Sequence, residues 1–259
     1  MPDLPIATFH DLKGRSVFIT GGGAGIGADL TEGFLAQGAK VAFVQRSDCS
    51  DFVNAMAEKY GQAPLFIQCD VTDLAALETA MTKAADAHGP ITVLVNNAAN
   101  DTRHSTEELT EQGWEDALNV NLRPHFFTAK FATPGMKAAG GGSIINFSSI
   151  SYMMALGVLP AYVASKAGIT GLTRGLAREF GPFNIRVNAI MPGWVLTKRQ
   201  LELWATDEGL ASHLEAQCLK EHLSGPDMVG ATLFLASGAS RMMTGQAVVV
   251  DGGVVFSGC

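Results

Sequence analysis

Short apolar runs rich in β-branched and aromatic residues alternate with longer stretches of helical periodicity along the whole chain. The strand-like runs cover residues 16–20, 41–45, 65–69, 92–96, 143–147, 186–190 and 247–250. Most are continuously apolar rather than alternating, as expected of strands covered on both faces. Between them, apolar positions recur with helical spacing over 26–37, 74–88, 114–131 and 162–180. Strand and helix in regular alternation predict an α/β fold, a doubly wound parallel sheet of Rossmann type. The stretch 194–223 breaks the alternation and is more polar. It reads as an insertion above the strand ends, where a mobile substrate lid would sit. No repeat, low-complexity tract or Pro/Ser-rich linker divides the chain, so residues 1–259 are expected to form one catalytic domain.

Composition narrows the class. A chain of 259 residues can bury roughly three-quarters of its unfolded surface, and 47% hydrophobic with 17% charged residues is a globular balance. The net charge of −7 argues against general binding of nucleic acid or anionic membrane, though one local basic site for a phosphate is compatible with it. No apolar run approaches the ~18 residues of a membrane span. The first residues, MPDLPIATFHDLKGR, lack a secretory pattern, so a cytoplasmic location is expected. Cys49, Cys69, Cys218 and Cys259 lie far apart without metal-binding spacing; they read as ordinary reduced thiols, with no metal site expected.

The first strand runs into Thr20-Gly21-Gly22-Gly23-Ala24-Gly25-Ile26-Gly27, and a helix follows. Glycines there allow a tight turn and close backbone approach to a pyrophosphate, which the helix N-terminus then attracts. Gly21, Gly23, Gly25, Ile26 and Gly27 are therefore candidate dinucleotide contacts. Asp70 and Val71 end the third strand, with Asp70 placed either to accept from an adenine amino group or to cap a helix. Asn97, Ala98 and Ala99 follow the fourth strand, and Pro192, Gly193, Val195 and Thr197 follow the sixth, where ligands collect in such sheets. The second strand ends in Gln45-Arg46-Ser47. It lacks the carboxylate that would hold a ribose 2′-hydroxyl and adds a guanidinium suited to a 2′-phosphate. NADP is the expected cofactor, with some use of NAD because Ala24 supplies no second base. Arg46 stacking on adenine, or facing water, is the competing reading.

Tyr162 and Lys166 stand four apart on one predicted helix, so phenol and ammonium can face one cleft. A cation beside a phenol favours phenolate and brings its pKa down towards neutral pH, as general acid–base work requires. Ser149, ending the fifth strand, can hold a substrate oxygen towards Tyr162. Asn121, inside a helical pattern, can hold a water that links Lys166 to solvent. Simple capping or helix-bending roles remain the alternatives for these two.

With TGGGAGIG, Asp70, NNAA, Asn121, Ser149, YVASK, PG and the late Val250-Asp251-Gly252-Gly253, the sequence resembles the short-chain dehydrogenase/reductase family along nearly its whole length. The resemblance implies seven parallel strands, a homotetramer and a catalytic tetrad of Asn121, Ser149, Tyr162 and Lys166. In that scheme Tyr162 is the acid/base, and Lys166 lowers its pKa and holds the nicotinamide ribose. Ala99 departs from the family, which usually has glycine there. Segments 100–104, 147–151, 197–200 and 216–220 are similar to bacterial sugar 1-dehydrogenases acting on D-xylose-type aldoses. That similarity implies oxidation of the anomeric C1 hydroxyl to a lactone. Those relatives carry an acidic residue at the position of Gln45, so their cofactor does not transfer directly. Reading sugar hydroxyls takes several hydrogen-bonding partners around an apolar platform. The candidates are Asn100, Asp101, His104, Ser149, Ser151, Tyr162, Trp194, Arg199 and Gln200. A carbonyl reductase for a 3-oxoacyl thioester or small ketone is the competing enzyme, for which Lys198, Arg199 and Lys220 could form a basic patch. A non-catalytic dinucleotide sensor is a third possibility, disfavoured by the presence of all four tetrad side chains. More apolar residues on 114–131 and 162–180 than one buried stripe needs agree with self-association.

Overall fold

The computed structural model describes residues 7–256. All seven expected runs form strands: β1 (Ser16–Thr20), β2 (Lys40–Gln45), β3 (Leu65–Gln68), β4 (Val93–Asn96), β5 (Gly142–Phe147), β6 (Ile185–Pro192) and β7 (Ala247–Val250). They pair in parallel in the order β3-β2-β1-β4-β5-β6-β7. The doubly wound seven-stranded sheet is therefore as expected. The chain winds outward from β1 to β3, then returns to lay β4 against the other side of β1. That reversal opens a crevice at the carboxyl ends of β1 and β4.

Helices cover both faces: α1 (Ile26–Ala36), α2 (Ser50–Tyr60), α3 (Leu74–His88), α4 (Glu111–Asn121), α5 (Arg123–Ala138), α6 (Pro160–Phe180), α7 (Lys198–Leu203), α8 (Asp207–Ala216) and α9 (Val229–Ala236). Strand side chains alternate between the two layers. Val17 and Ile19 join Leu30 and Phe34 of α1 and Leu233 of α9 in one core. Phe18 joins Leu77 and Met81 of α3 and Met136 of α5 in the other. Each such large side chain contributes on the order of 1.5–3 kcal/mol on burial, which is why the middle of β1, Val17 to Ile19, is apolar on both faces. No helix among the described residues is long and apolar enough to cross a membrane.

The expected helix over 114–131 is two helices. The chain breaks at Leu122 (φ −120°, ψ −51°) and restarts with Pro124 in the first turn of α5. Proline has no N–H to donate back and its ring crowds the preceding turn, which favours a break at this point, although α5 itself carries Pro134 in its interior. The break leaves Asn121 as the last residue of α4, fully buried. Residues 194–223 stand outside the sheet and contribute α7 and α8, which Thr197 and Thr206 cap through their side chains.

Candidate active site

A cleft of about 1340 Å³ lies at the carboxyl ends of the strands, walled by the loops after β1 to β6 and by α7 and α8. Its shape on one side is set by the glycine loop. Gly21 has φ +69°, and a Cβ there would stand 3.1 Å from the Ala98 Cα. At Gly27 a Cβ would lie 1.8 Å from the Gly21 carbonyl oxygen, so α1 can approach the loop only without a side chain. Gly25 (φ +53°) starts α1, and no side chain caps it. Backbone amides at an uncapped helix start, beside a loop with no side chains in the way, fit a pyrophosphate.

Most of the expected cofactor residues line the cleft: Gly21, Gly25, Ile26, Gln45, Arg46, Asp70, Val71, Asn97, Ala98, Ala99, Tyr162, Lys166, Pro192, Gly193, Val195 and Thr197. Three do not. Gly23 is turned towards Cys49, whose Sγ would be 2.3 Å from a Cβ. Gly27 is spent on helix packing, and Ser47 contributes a carbonyl to the Cys49 thiol. The Asp70 carboxylate accepts from the Thr72 N–H (2.9 Å) and hydroxyl (2.8 Å), and these bonds hold its pKa below the usual carboxylate range. Asp73, not Asp70, caps the following helix. Cys259 lies outside the described residues.

At the far end of the cleft Ser149, Tyr162 and Lys166 come together, while Asn121 is buried and does not line the cleft. Lys166 Nζ donates to the Phe147 carbonyl (2.8 Å) and lies 5.3 Å from the centre of the Tyr162 ring. Ser149 Oγ accepts from the Ser151 N–H (3.1 Å). Asn121 Oδ1 accepts from the Asn100 N–H (2.8 Å) and its Nδ2 donates to the Asn100 carbonyl (2.9 Å). Both its atoms thereby anchor the loop after β4, each with one of its two hydrogen-bonding positions.

The expected electrostatics also need correction. Burial pushes the Tyr162 phenol well above its ordinary value, and the Asp101 carboxylate adds to the rise; the Ser149 hydroxyl pulls the other way. Burial brings Lys166 down to about 7, against the smaller upward effect of Asp101. With Lys166 buried and Tyr162 half-buried, each favours its uncharged form, and the desolvation outweighs the attraction the YxxxK spacing suggested. Behind them His125, which sequence reasoning missed, is fully buried, its ring against the backbone of Asn96 and Phe147. Burial and the Lys166 charge hold it at about 3, so it is neutral.

Lys166 binds fewer protons folded than unfolded between pH 7 and its ordinary 10.5, so its burial penalty is full below pH 7 and fades as pH rises to 10.5. Lys166→Met removes that penalty. The melting temperature of the variant minus that of the wild type is expected to be most positive near pH 6 and to shrink by pH 10. A difference that stays flat in calorimetry across this range would count against a strained buried ammonium.

Of the expected sugar contacts, Asn100, Asp101, Ser149, Ser151, Tyr162, Trp194, Arg199 and Gln200 line the cleft. His104 does not. Its Nδ1 meets the Thr102 carbonyl (3.1 Å), and its Nε2 accepts from the Ala161 N–H (3.4 Å) in the first turn of α6. Leu159, the N-cap residue of that helix, offers no side-chain acceptor, and the imidazole takes its place. Asp101, Arg199, Gln200 and Trp194 bond mainly to one another. Asp101 Oδ1 accepts from Arg199 Nε (3.3 Å), its Oδ2 from Gln200 Nε2 (2.5 Å), and Gln200 Oε1 from Trp194 Nε1 (2.9 Å). Ser151 Oγ is buried without a partner. His213 of α8, absent from the expected set, meets Trp194 edge-on at 5.5 Å. Nothing in the local sequence marks it, because α8 carries no strand-end or glycine signal.

The sequence profile described as enoyl-(acyl carrier protein) reductase matches residues 21–255. A protein of Rhizobium meliloti named as a probable galactose dehydrogenase is 49% identical over 97% of this chain and 99% of its own. D-xylose 1-dehydrogenase of Caulobacter vibrioides is 45% identical over 95% of this chain and 98% of its own. A solved structure from Sinorhizobium meliloti, described as a short-chain alcohol dehydrogenase, superposes with a TM-score of 0.90 at 32% identity, covering 95% of this chain and 98% of that one.

Proposed function

We propose, on the premise that this chain belongs to the short-chain dehydrogenase/reductase family, that it oxidises the C1 hydroxyl of a cyclic aldose to an aldonolactone with NADP as hydride acceptor. The observation that carries the sugar reading is the 45–49% identity, over nearly the full length, to two proteins named for galactose and D-xylose oxidation. A bound oxidised nicotinamide would supply the hydride acceptor and a positive charge in the cleft, offsetting the burial that holds Tyr162 protonated.

Ser149 holds the anomeric oxygen, its own oxygen already oriented by the Ser151 N–H. Tyr162, once its own phenolic proton has left towards Lys166 and solvent, takes the hydroxyl proton as the C1–H bond gives up its electron pair and C1=O forms. Lys166, fixed against the Phe147 carbonyl, receives or returns that charge next to the phenol. Asn121 keeps the Asn100-Asp101 loop at the right height. Residues 194–223 act as the lid of a single catalytic domain, and the protein works as a cytoplasmic homotetramer.

The acyl-thioester alternative finds little of its basic patch at the cleft, which Arg199 lines, already engaged by Asp101, and which Lys198 and Lys220 do not line. NADP is favoured by the missing carboxylate at Gln45 and by Arg46, which lines the cleft and makes no ion pair among the described residues. Gln45 Oε1 instead accepts from the Gly23 N–H (3.4 Å).

Following nicotinamide absorbance with both oxidised cofactors against pentoses, hexoses and deoxyhexoses, and with NADPH against ketones and acyl thioesters, tests the whole reading. Turnover of an aldose is expected, with kcat/KM at least about tenfold higher for NADP, a charge-assisted contact's worth of discrimination. Arg46→Ala should erase that preference. Reduction of thioesters without sugar oxidation would replace the proposal, and a tenfold preference for NAD would remove its cofactor assignment.

A further inference from the structure

The proposed reaction asks a phenol to release its proton into a cleft that also holds a carboxylate. Asp101 follows β4 and lines the same space as Tyr162 and Lys166. Its charge opposes ionisation of the phenol and favours a protonated Lys166. Both carboxylate oxygens are met from α7, by Arg199 Nε at 3.3 Å and Gln200 Nε2 at 2.5 Å. Arg199 Nη2 also reaches Asn100 Oδ1 (3.3 Å), and the Arg103 guanidinium lies 4.6 Å over the ring of Trp204 at the end of α7. These contacts tie the 100–103 loop to the 194–223 segment through side chains alone, with no shared ladder or helix to keep the two together when the side chains part.

Several other charged or titratable groups surround the acid–base pair. Neutral His125 packs behind it from α5, Asp116 and Arg123 face the cleft from α4 and α5, Arg103 stands beside Asp101, and His213 faces it from α8. Among the described ion pairs, the cation that touches Asp101 is Arg199.

We propose that Asp101 and Arg199 form an electrostatic latch: seating the 194–223 segment brings a guanidinium onto a carboxylate that otherwise bears unopposed on Tyr162, so proton transfer is favoured over a closed cleft. The inference rests on Tyr162 being the proton acceptor. With the segment seated, the guanidinium offsets part of the Asp101 charge, and the carboxylate still adds to the rise of the phenol. With the segment lifted, the negative charge remains and the phenol holds its proton more tightly. Chemistry is thereby held back until sugar and lid are both in place. A unit charge at such a partly wet site moves a titration by on the order of one pH unit.

The test is a charge cycle in the full-length enzyme, with NADP⁺ and the best aldose, reading kcat/KM against pH. Asp101→Asn is expected to move the rising limb to lower pH by on the order of half to one unit. Arg199→Gln leaves the carboxylate unopposed and is expected to move the limb upward by a similar amount. The double variant returns near the wild-type limb, and Arg199→Lys, which keeps the charge, stays close to it. Both neutral single variants raise the sugar KM, because each breaks the same contact. A purely structural tie raises KM in both and leaves the limb in place, or moves it the same way in both; either result overturns the latch. If Tyr162→Phe retains the limb, the limb belongs to another group, and the reading of the site falls together with the latch. If the limb requires Tyr162 yet ignores both charges, the latch alone falls.

Discussion

Tyr162→Phe is expected to lower kcat for sugar oxidation by roughly 100- to 10,000-fold while leaving the dissociation constant of the cofactor nearly unchanged. The substitution removes one oxygen and keeps the ring, so packing at this half-buried position survives. On the proposed reading, what is lost is the phenol beside Ser149 that takes the hydroxyl proton while C1 gives up its hydride. Because burial already holds the phenol well above its ordinary pKa, the wild-type rate should climb as pH rises. Phenylalanine should flatten that climb as well as lower it. Stopped-flow turnover with a cofactor-binding titration separates the two quantities. A Phe variant with more than about a tenth of wild-type kcat would assign the proton to another group.

Gly27→Ala is expected to weaken nucleotide binding by at least 100-fold and to lower the melting temperature by several degrees. The added methyl would sit 1.8 Å from the Gly21 carbonyl oxygen and 2.8 Å from Asn97 Nδ2. The first is backbone, held by the bond from the Gly21 N–H to Val44 (2.8 Å), so it cannot swing aside. Asn97 Nδ2 itself donates to the carbonyls of Thr20 (3.2 Å) and Gly21 (3.1 Å). Overpacking of this kind costs about 1–3 kcal/mol or more, and relief comes by moving α1 away from the loop that would receive the pyrophosphate. Titration calorimetry with NADP⁺ and thermal melts read both effects. Gly61 offers a control: it has φ +67° but no atom within 4 Å of a Cβ, so Gly61→Ala should cost stability through backbone strain and leave nucleotide binding alone. Unchanged affinity in Gly27→Ala would show that the ligand approaches from elsewhere.

The sheet could be read from the chain because the strands are short and most are apolar runs covered on both faces, so their pattern is independent of distant partners. The pairing of Tyr162 with Lys166 was equally legible, since one turn of helix fixes it. So was the crowding of functional positions at strand ends, which follows from the polarity of a parallel sheet. Other elements were harder to see. Helix α9, Val229–Ala236, is apolar on every side and short enough to pass for a strand, and α2 buries a single residue, Met56. The break at Leu122 was signalled by Pro124, but the apolar spacing on either side of it masked the stop.

What the sequence by itself determined is the order of elements, the sheet they form and which loops gather at its carboxyl edge, because these depend on local periodicity and chain polarity. Only the tertiary structure decided what the side chains in those loops do. It turned His104 from the pocket to the start of α6 and spent Asn121 on the Asn100 backbone. It also joined Asp101 to Arg199 across 98 residues of chain. The same holds for the protonation of Tyr162 and Lys166. Spacing sets how near two charges can come, but the water excluded by the surrounding helices sets what it costs either of them to be charged.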